Sequence, residues 1–118
     1  MTTMLKLKRA YEPAAKSDGR RILVDGLWPR GLPKAKLRVD GWAKEVAPSA
    51  ALRRWFGHDP AKWDEFRKRY ARELDAHPDA WRSIRSAARK GTVTLVYGAR
   101  DSEHNNAVAL QAYLARHR

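Results

Sequence analysis

The 118-residue sequence contains no cysteine. That absence excludes disulfides, thiolate nucleophiles and cysteine-ligated zinc together, and it suits a reducing compartment. Long apolar runs are also missing. No segment has the length of a signal-peptide core, and none approaches the ~20 apolar residues that span a bilayer. The expected location is therefore the cytoplasm, with no membrane partner. Neither the Walker phosphate loop nor a G-x-G-x-x-G loop is present, and no serine sits in a nucleophile elbow. The four histidines, His58, His77, His104 and His117, lack metal-ligand spacing. No motif asks for a cofactor, and no recognition-helix or RNA-module signature occurs.

Acidic residues are scarce: 13, against 25 lysines and arginines, for a net charge of +12. The excess is uneven, with 13 basic and 5 acidic residues in 1–54 but 12 and 8 in 55–118. Such a balance favours polyanions, whether nucleic acid, phosphorylated metabolites or acidic proteins. Net charge also serves solubility alone. The length fits one domain, large enough to bury a core without disulfides or metal.

Met4–Arg9 alternates Leu5 and Leu7 with Lys6 and Lys8, the period of a half-buried strand. Residues 12–19 carry Pro13, Ser17, Asp18 and Gly19 and read as a loop. Arg21–Asp25 centres on Ile22-Leu23-Val24, a strand buried on both faces, as in a parallel sheet. Pro29, Gly31 and Pro33 make 26–36 a loop, and 39–46 reads as a short helix ended by Pro48. Ser49 is an N-cap for a helix over 50–56 that Gly57 closes. Asp59-Pro60 starts a helix running to Ala76, with Trp63, Phe66, Tyr70 and Leu74 as its apolar stripe. Pro78 restarts a helix with Trp81, Ile84 and Ala88 inward and Gly91 as its stop. Thr92–Tyr97 is a strand, and a last helix opens at Glu103 or His104, with Ala107, Val108, Leu110 and Leu114 inward. Strands alternating with helices predict a single α/β domain: a small, mostly parallel sheet flanked by helices.

Open α/β sheets place their sites beyond the carboxyl ends of the strands. Two segments qualify, Val24–Gly31 and Tyr97–Asn106, and parallel neighbouring strands would bring both over one cleft. In the first, Asp25 ends a buried strand, where a carboxylate needs a partner. Arg30 can pair with it or grip a phosphate, and Trp28 can stack on a base or sugar. The structural alternative is a turn shaped by Pro29 and Gly31, with Trp28 covering the core. In the second, Asp101 or Ser102 would cap the last helix, leaving free N–H groups beside Arg100 as an anion site. His104 is the acid–base candidate there, and Asn105 and Asn106 add amides. Plain helix capping is the alternative. His58, next to Asp59, reads as a cap or core contact.

Several strings, taken in order, resemble the YeaO-like branch of domain-of-unknown-function family 488. They are Val24-Asp25 with Leu27-Trp28-Pro29-Arg30-Gly31, Ala47-Pro48-Ser49, and Leu52-Arg53-Arg54-Trp55-Phe56-Gly57-His58. Phe66-Arg67-Lys68-Arg69-Tyr70 and Glu103-His104-Asn105-Asn106-Ala107-Val108 continue the series. The resemblance runs from about Leu5 to Leu114. It implies an α/β fold and bacterial or archaeal cytoplasmic proteins, and it implies no known reaction. The family pattern carries an arginine after the Asp of the first string, where this chain has Gly26. If that arginine serves an anion site, this chain binds anions differently or less tightly. The wider family also carries a cysteine near the position of His104; its absence argues against thiol chemistry.

Two functional readings follow. In one, the chain is an enzyme or binding domain for a small anionic or phosphorylated ligand. His104 is then the general acid or base and Asp25 its catalytic companion, orienting Arg30 or a water. Trp28, Arg30, Arg100, Asn105 and Asn106 bind the ligand. In the other, the chain is a basic nucleic-acid-associated module without catalysis, contacting phosphates through Lys34, Lys36, Arg38, Arg53 and Arg54.

Overall fold

The computed structural model describes residues 5–117. Within them four strands form one parallel sheet: β1 (Leu5–Arg9), β2 (Arg20–Leu23), β3 (Gly41–Trp42) and β4 (Val93–Tyr97), in the order β1-β4-β2-β3. The last strand thus inserts between the first two, with Leu7 and Ile22 both opposite Leu95. The expected mostly parallel sheet is wholly parallel here. All of β4 is buried, which explains why its sequence is continuously apolar apart from Thr94 and Tyr97.

Alternation along the strands assigns their two faces. Val93, Leu95, Tyr97, Ile22 and Val24 enter the main core, with Leu5 and Leu7 packed against it. That core is completed by helices α2 (Ala50–Phe56), α3 (Trp63–Ala76), α4 (Pro78–Lys90) and α5 (Asn106–Arg116). The stripe predicted for α3 packs as expected, with Phe66, Tyr70 and Leu74 buried. The buried Tyr70 hydroxyl donates to the Val46 carbonyl. Ser49 caps α2 by accepting from the Leu52 N–H at 3.1 Å, and Gly57 ends it in a left-handed turn. Asp59 accepts from the Ala61 N–H and opens a 3₁₀ turn that runs into α3.

The other face carries a smaller core of Ala10, Leu23, Leu37 and Val96, with Trp28, Leu32, Val39 and Trp42 against it. Its cover is the segment 26–39, which contains a single helical turn, α1 (Lys34–Leu37). The loop expected through Lys36 therefore closes into this turn, because Leu37 is pulled into the small core. The helix expected over 39–46 is corrected to β3 followed by a 3₁₀ turn, Lys44–Val46. Gly41 and Trp42 pair with Ile22 and Leu23, and Trp42 Nε1 donates to the Asp25 carbonyl at 2.7 Å. The start of α5 is also corrected, from Glu103 or His104 to Asn106, for reasons given below. Met4, expected in the first strand, lies outside the described residues.

An ionic knot sits under the second face. Asp18 bonds Arg21 Nη1 at 2.7 Å and Lys8 Nζ at 2.9 Å. Arg21 also donates to the carbonyls of Leu37 at 2.7 Å and Arg38 at 3.1 Å, and so ties β2 to the end of α1. Burial opposes ionisation of the Asp18 carboxyl. Bonds from the Ala15 N–H, Lys8 and Arg21, with the nearby Lys8 charge, nevertheless hold it down at about 2.

Candidate functional site

β2 and β4 are adjacent and parallel, so the loops leaving their carboxyl ends open side by side. Between them and the exit of α2 lies a cleft of about 220 Å³. Asp25, Gly26 and Leu27 line it from the first loop, and Ala99, His104, Asn105 and Asn106 from the second. Pro48, Arg53, Phe56, His58 and Phe66 close the third side.

Asp25 Oδ2 accepts the Gly98 N–H at 2.8 Å, joining the two loops. Asn106 Nδ2 donates to the Val24 carbonyl at 3.0 Å, fixing the start of α5 against β2. Burial pushes the Asp25 carboxyl up from the ordinary range; the Gly98 N–H, the Asn106 amide and the charges of Arg53 and His58 pull the other way without cancelling it. An acid raised on folding stabilises the fold while protonated, and that contribution is lost as pH rises from its ordinary to its raised value. The ionised form of Asp25 therefore weakens the fold relative to the protonated form. Asp25→Asn keeps an oxygen acceptor for Gly98 and is expected to raise Tm at pH 7. That advantage disappears below about pH 4, where the wild-type carboxyl is also neutral. Thermal melts across this range check both the sign and the window.

Arg53 lies in the last turn of α2, where the helix dipole favours a cation. Its Nη1 would be 2.6 Å, and its Cζ 3.0 Å, from a Cβ built on Gly26. The missing side chain at position 26 is what admits the guanidinium. Arg53 Nε is buried without a hydrogen-bond partner among the described residues. Next along the chain, His58 follows Gly57 with φ of +57°. The left-handed region costs a non-glycine residue about 1–2 kcal/mol, and this strained turn sets the imidazole at the cleft, its ring centroid 6.4 Å from that of Phe56.

His104 Nδ1 lies 2.8 Å from Asp101 Oδ2, and its ring meets the edge of Trp63 at 5.4 Å. The Asp101 carboxyl is held below the ordinary range by the Glu103 N–H first, then by His104. Ionised Asp101 accepts, so Nδ1 carries a proton. In the neutral ring Nε2 is then left as an acceptor. Asp101 Oδ1 also takes the N–H groups of Glu103 and His104, at 2.9 and 3.1 Å. These bonds close a turn, and α5 begins only after Asn105, whose side chain accepts from the Val108 N–H at 3.0 Å. The chain's own Asp101 and Asn105 thus take the N–H groups of Glu103, His104 and Val108 around the point where the anion-binding helix start was expected. Asn105→Ala is expected to cost about 1–2 kcal/mol of stability in urea denaturation, the range of a lost N-cap.

Of the residues singled out from sequence, Asp25, His104, Asn105 and Asn106 gather at the cleft, and Trp28, Arg30 and Arg100 do not line it. Trp28 Nε1 donates to the Leu32 carbonyl at 2.6 Å, and its ring packs edge-on against Trp42 in the small core. Arg30 and Arg100 are exposed. Arg53 and His58 are cleft residues that the sequence assigns to phosphate contact and to a cap or core contact, respectively. The only signals for them were a small residue after Asp25 and the Gly57-His58 exit of α2. The five proposed nucleic-acid contacts divide: Lys34, Lys36 and Arg38 are exposed on or beside α1, Arg54 is exposed on α2, and Arg53 lines the cleft. Among the described residues no group of three or more histidines and carboxylates is placed to hold a metal. No helix there is long and apolar enough to cross a membrane.

Comparison with known proteins adds an independent result. The chain is 41% identical over 110 residues to the uncharacterized protein YeaO of Escherichia coli K12, covering 93% of this chain and 96% of that one. It is 38% identical over 112 residues to the uncharacterized proteins Rv3073c of Mycobacterium tuberculosis and Mb3100c of Mycobacterium bovis, covering 95% of this chain and 94% of each. No solved structure matches. A family model also fits nearly the whole length, residues 4–117. The chain therefore belongs to DUF488-N3i, described as the inactive DUF488-N3 subclade, and to its YeaO-like proteins.

Proposed function

We propose that the cleft binds a small anion, a carboxylate or phosphate, and that the protein acts as a binding domain without turnover. Arg53 carries this reading. Buried N–H groups are nearly always paired, yet Arg53 Nε, like Arg85 Nε, has no partner among the described residues, and of these two arginines it is Arg53 that lines the cleft. A carboxylate or phosphate supplies the missing acceptor and matches the planar fork of the guanidinium. His58 and Asn106 bring further polar groups to the same space, and Phe56 and Phe66 give it an apolar wall. A volume of about 220 Å³ is below the ~300–1,000 Å³ of drug-sized sites, which supports a ligand of few atoms. When its ring is doubly protonated, His104 donates to the ligand through Nε2, with Nδ1 held by Asp101. The family's description as an inactive subclade supports binding over catalysis.

The test is a thermal-shift titration with inorganic phosphate, acetate and simple phosphate monoesters at constant ionic strength. A saturable rise in Tm with at least one of them is expected, because a ligand that binds only the folded state stabilises it. No shift with any of them overturns the reading.

A further inference from the structure

The segment 26–39 that covers the second sheet face is amphipathic in an unusual way. Trp28, Leu32, Leu37 and Val39 turn inward to the small core. Its outward charged residues are Arg30, Lys34, Lys36 and Arg38, all exposed, and the segment contains no acidic residue. None of these four takes part in a side-chain ion pair among the described residues. The basic face of α3 differs, because there Asp64 pairs with Arg67 and Glu65 pairs with Arg69. A surface that needs only solubility does as well with mixed charge.

An aromatic ring borders this cationic strip. Tyr11 is 44% exposed and donates its hydroxyl to the Arg30 carbonyl at 2.9 Å. The Arg9 guanidinium lies over its ring at 4.9 Å, and Arg9 Nε donates to the Ala99 carbonyl at 2.9 Å. The surface thus continues from α1 through Arg30 and Tyr11 to the exposed Arg100. Acids lie along it and at its ends: Glu12, whose carboxylate accepts the Arg9 backbone N–H, Asp101 beside Arg100, and Asp40, which accepts the Arg21 backbone N–H.

From this juxtaposition we infer that the strip formed by Arg30, Lys34, Lys36 and Arg38 with Tyr11 docks single-stranded nucleic acid, the cations tracking phosphates and Tyr11 stacking on a base. Unpaired cations beside an exposed aromatic ring are the combination that single strands require, since the backbone supplies the charge and every base a flat face. An acidic protein would use the cations but gain little from the ring. The strip is separate from the cleft, so this inference stands independently of the anion reading.

Fluorescence anisotropy with a short labelled single strand, as DNA and as RNA, tests it at about 50 and 200 mM salt. The wild type is expected to bind and to weaken with salt, with a log–log slope near −3 for four phosphate contacts to a single strand. Replacing Arg30, Lys34, Lys36 and Arg38 together by Gln is expected to lower affinity about tenfold or more and to flatten that slope. Tyr11→Ala is expected to lower affinity about fivefold while leaving the slope unchanged. Unaltered melting curves and far-UV circular dichroism establish that the variants are folded. Absence of binding by the wild type, or full binding by the quadruple variant, overturns the inference. So does equal binding of polyglutamate that Tyr11→Ala leaves untouched, which would assign the surface to acidic proteins.

Discussion

Asp18→Asn is expected to lower the unfolding free energy by about 3–5 kcal/mol, the range for removing one partner of a buried ion pair. The side chains of Asp18 and Arg21 are only 6% and 5% exposed. In the variant Arg21 keeps the Leu37 and Arg38 carbonyls, but these are neutral acceptors. A buried guanidinium without a counter-ion is left facing Lys8. A domain of this size has about 5–15 kcal/mol in total, so the variant is expected to be marginal, and urea denaturation at pH 7 measures the loss. The acid limb gives a second signature. The Asp18 carboxyl titrates at about 2 in the fold against 3.8 ordinarily. Its contribution is therefore present above about pH 4 and is lost as pH falls through about 2. The variant's stability is expected to be flatter across that window. A loss below about 1 kcal/mol, the level of an exposed pair, would show that the knot is only a surface contact.

Asp25→Asn makes the same chemical change with the opposite expected sign. Asp18 is matched by two cations within 2.9 Å. Asp25 has a backbone N–H and an amide, with Arg53 and His58 acting only as nearby charges. A partly buried carboxylate whose ionised form weakens the fold is a feature of functional sites, where stability and activity compete.

This contrast also marks what the sequence made legible. The Ile22-Leu23-Val24 and Val93–Tyr97 runs announced parallel strands, because burial on both faces removes the polar alternation. Parallel strands in turn located the cleft, and so Asp25, His104, Asn105 and Asn106. Where competing local signals had equal chemistry, the reading failed. Asp101, Ser102 and Asn105 are all capping types; Asp101 closes a turn, which leaves the cap to Asn105. β3 has two residues, and what makes it a strand is the neighbouring β2 rather than any period in 39–46. Trp28 reads from sequence either as a stacking platform or as cover for the core; it takes the second role, because the second sheet face has only a one-turn helix over it. Arg53 reaches the cleft through packing between α2 and the Asp25 loop, a contact 27 residues apart in sequence. No local pattern encodes it.

Arg53→Met is expected to weaken binding of the cleft's anion about 10–100-fold, since hydrogen bonds to charged groups contribute about 1.5–3 kcal/mol. Isothermal titration with the anion that gives the largest thermal shift measures it. The variant should fold normally, because no hydrogen bond of Arg53 within the described residues is lost and methionine fills irregular space. Two companions separate charge from geometry. Arg53→Lys keeps the charge but not the planar fork, and is expected to fall between the wild type and methionine. Gly26→Ala leaves the arginine in place but sets a Cβ 2.6 Å from the present position of Nη1. The end of a flexible side chain yields to such a contact, so the guanidinium is expected to swing away and affinity to fall with Tm nearly unchanged. If Gly26→Ala binds like the wild type while Arg53→Met does not, Arg53 attracts the anion at a distance. If both lose affinity, the guanidinium grips the ligand from the space that Gly26 leaves open, and the glycine after Asp25 is part of the site.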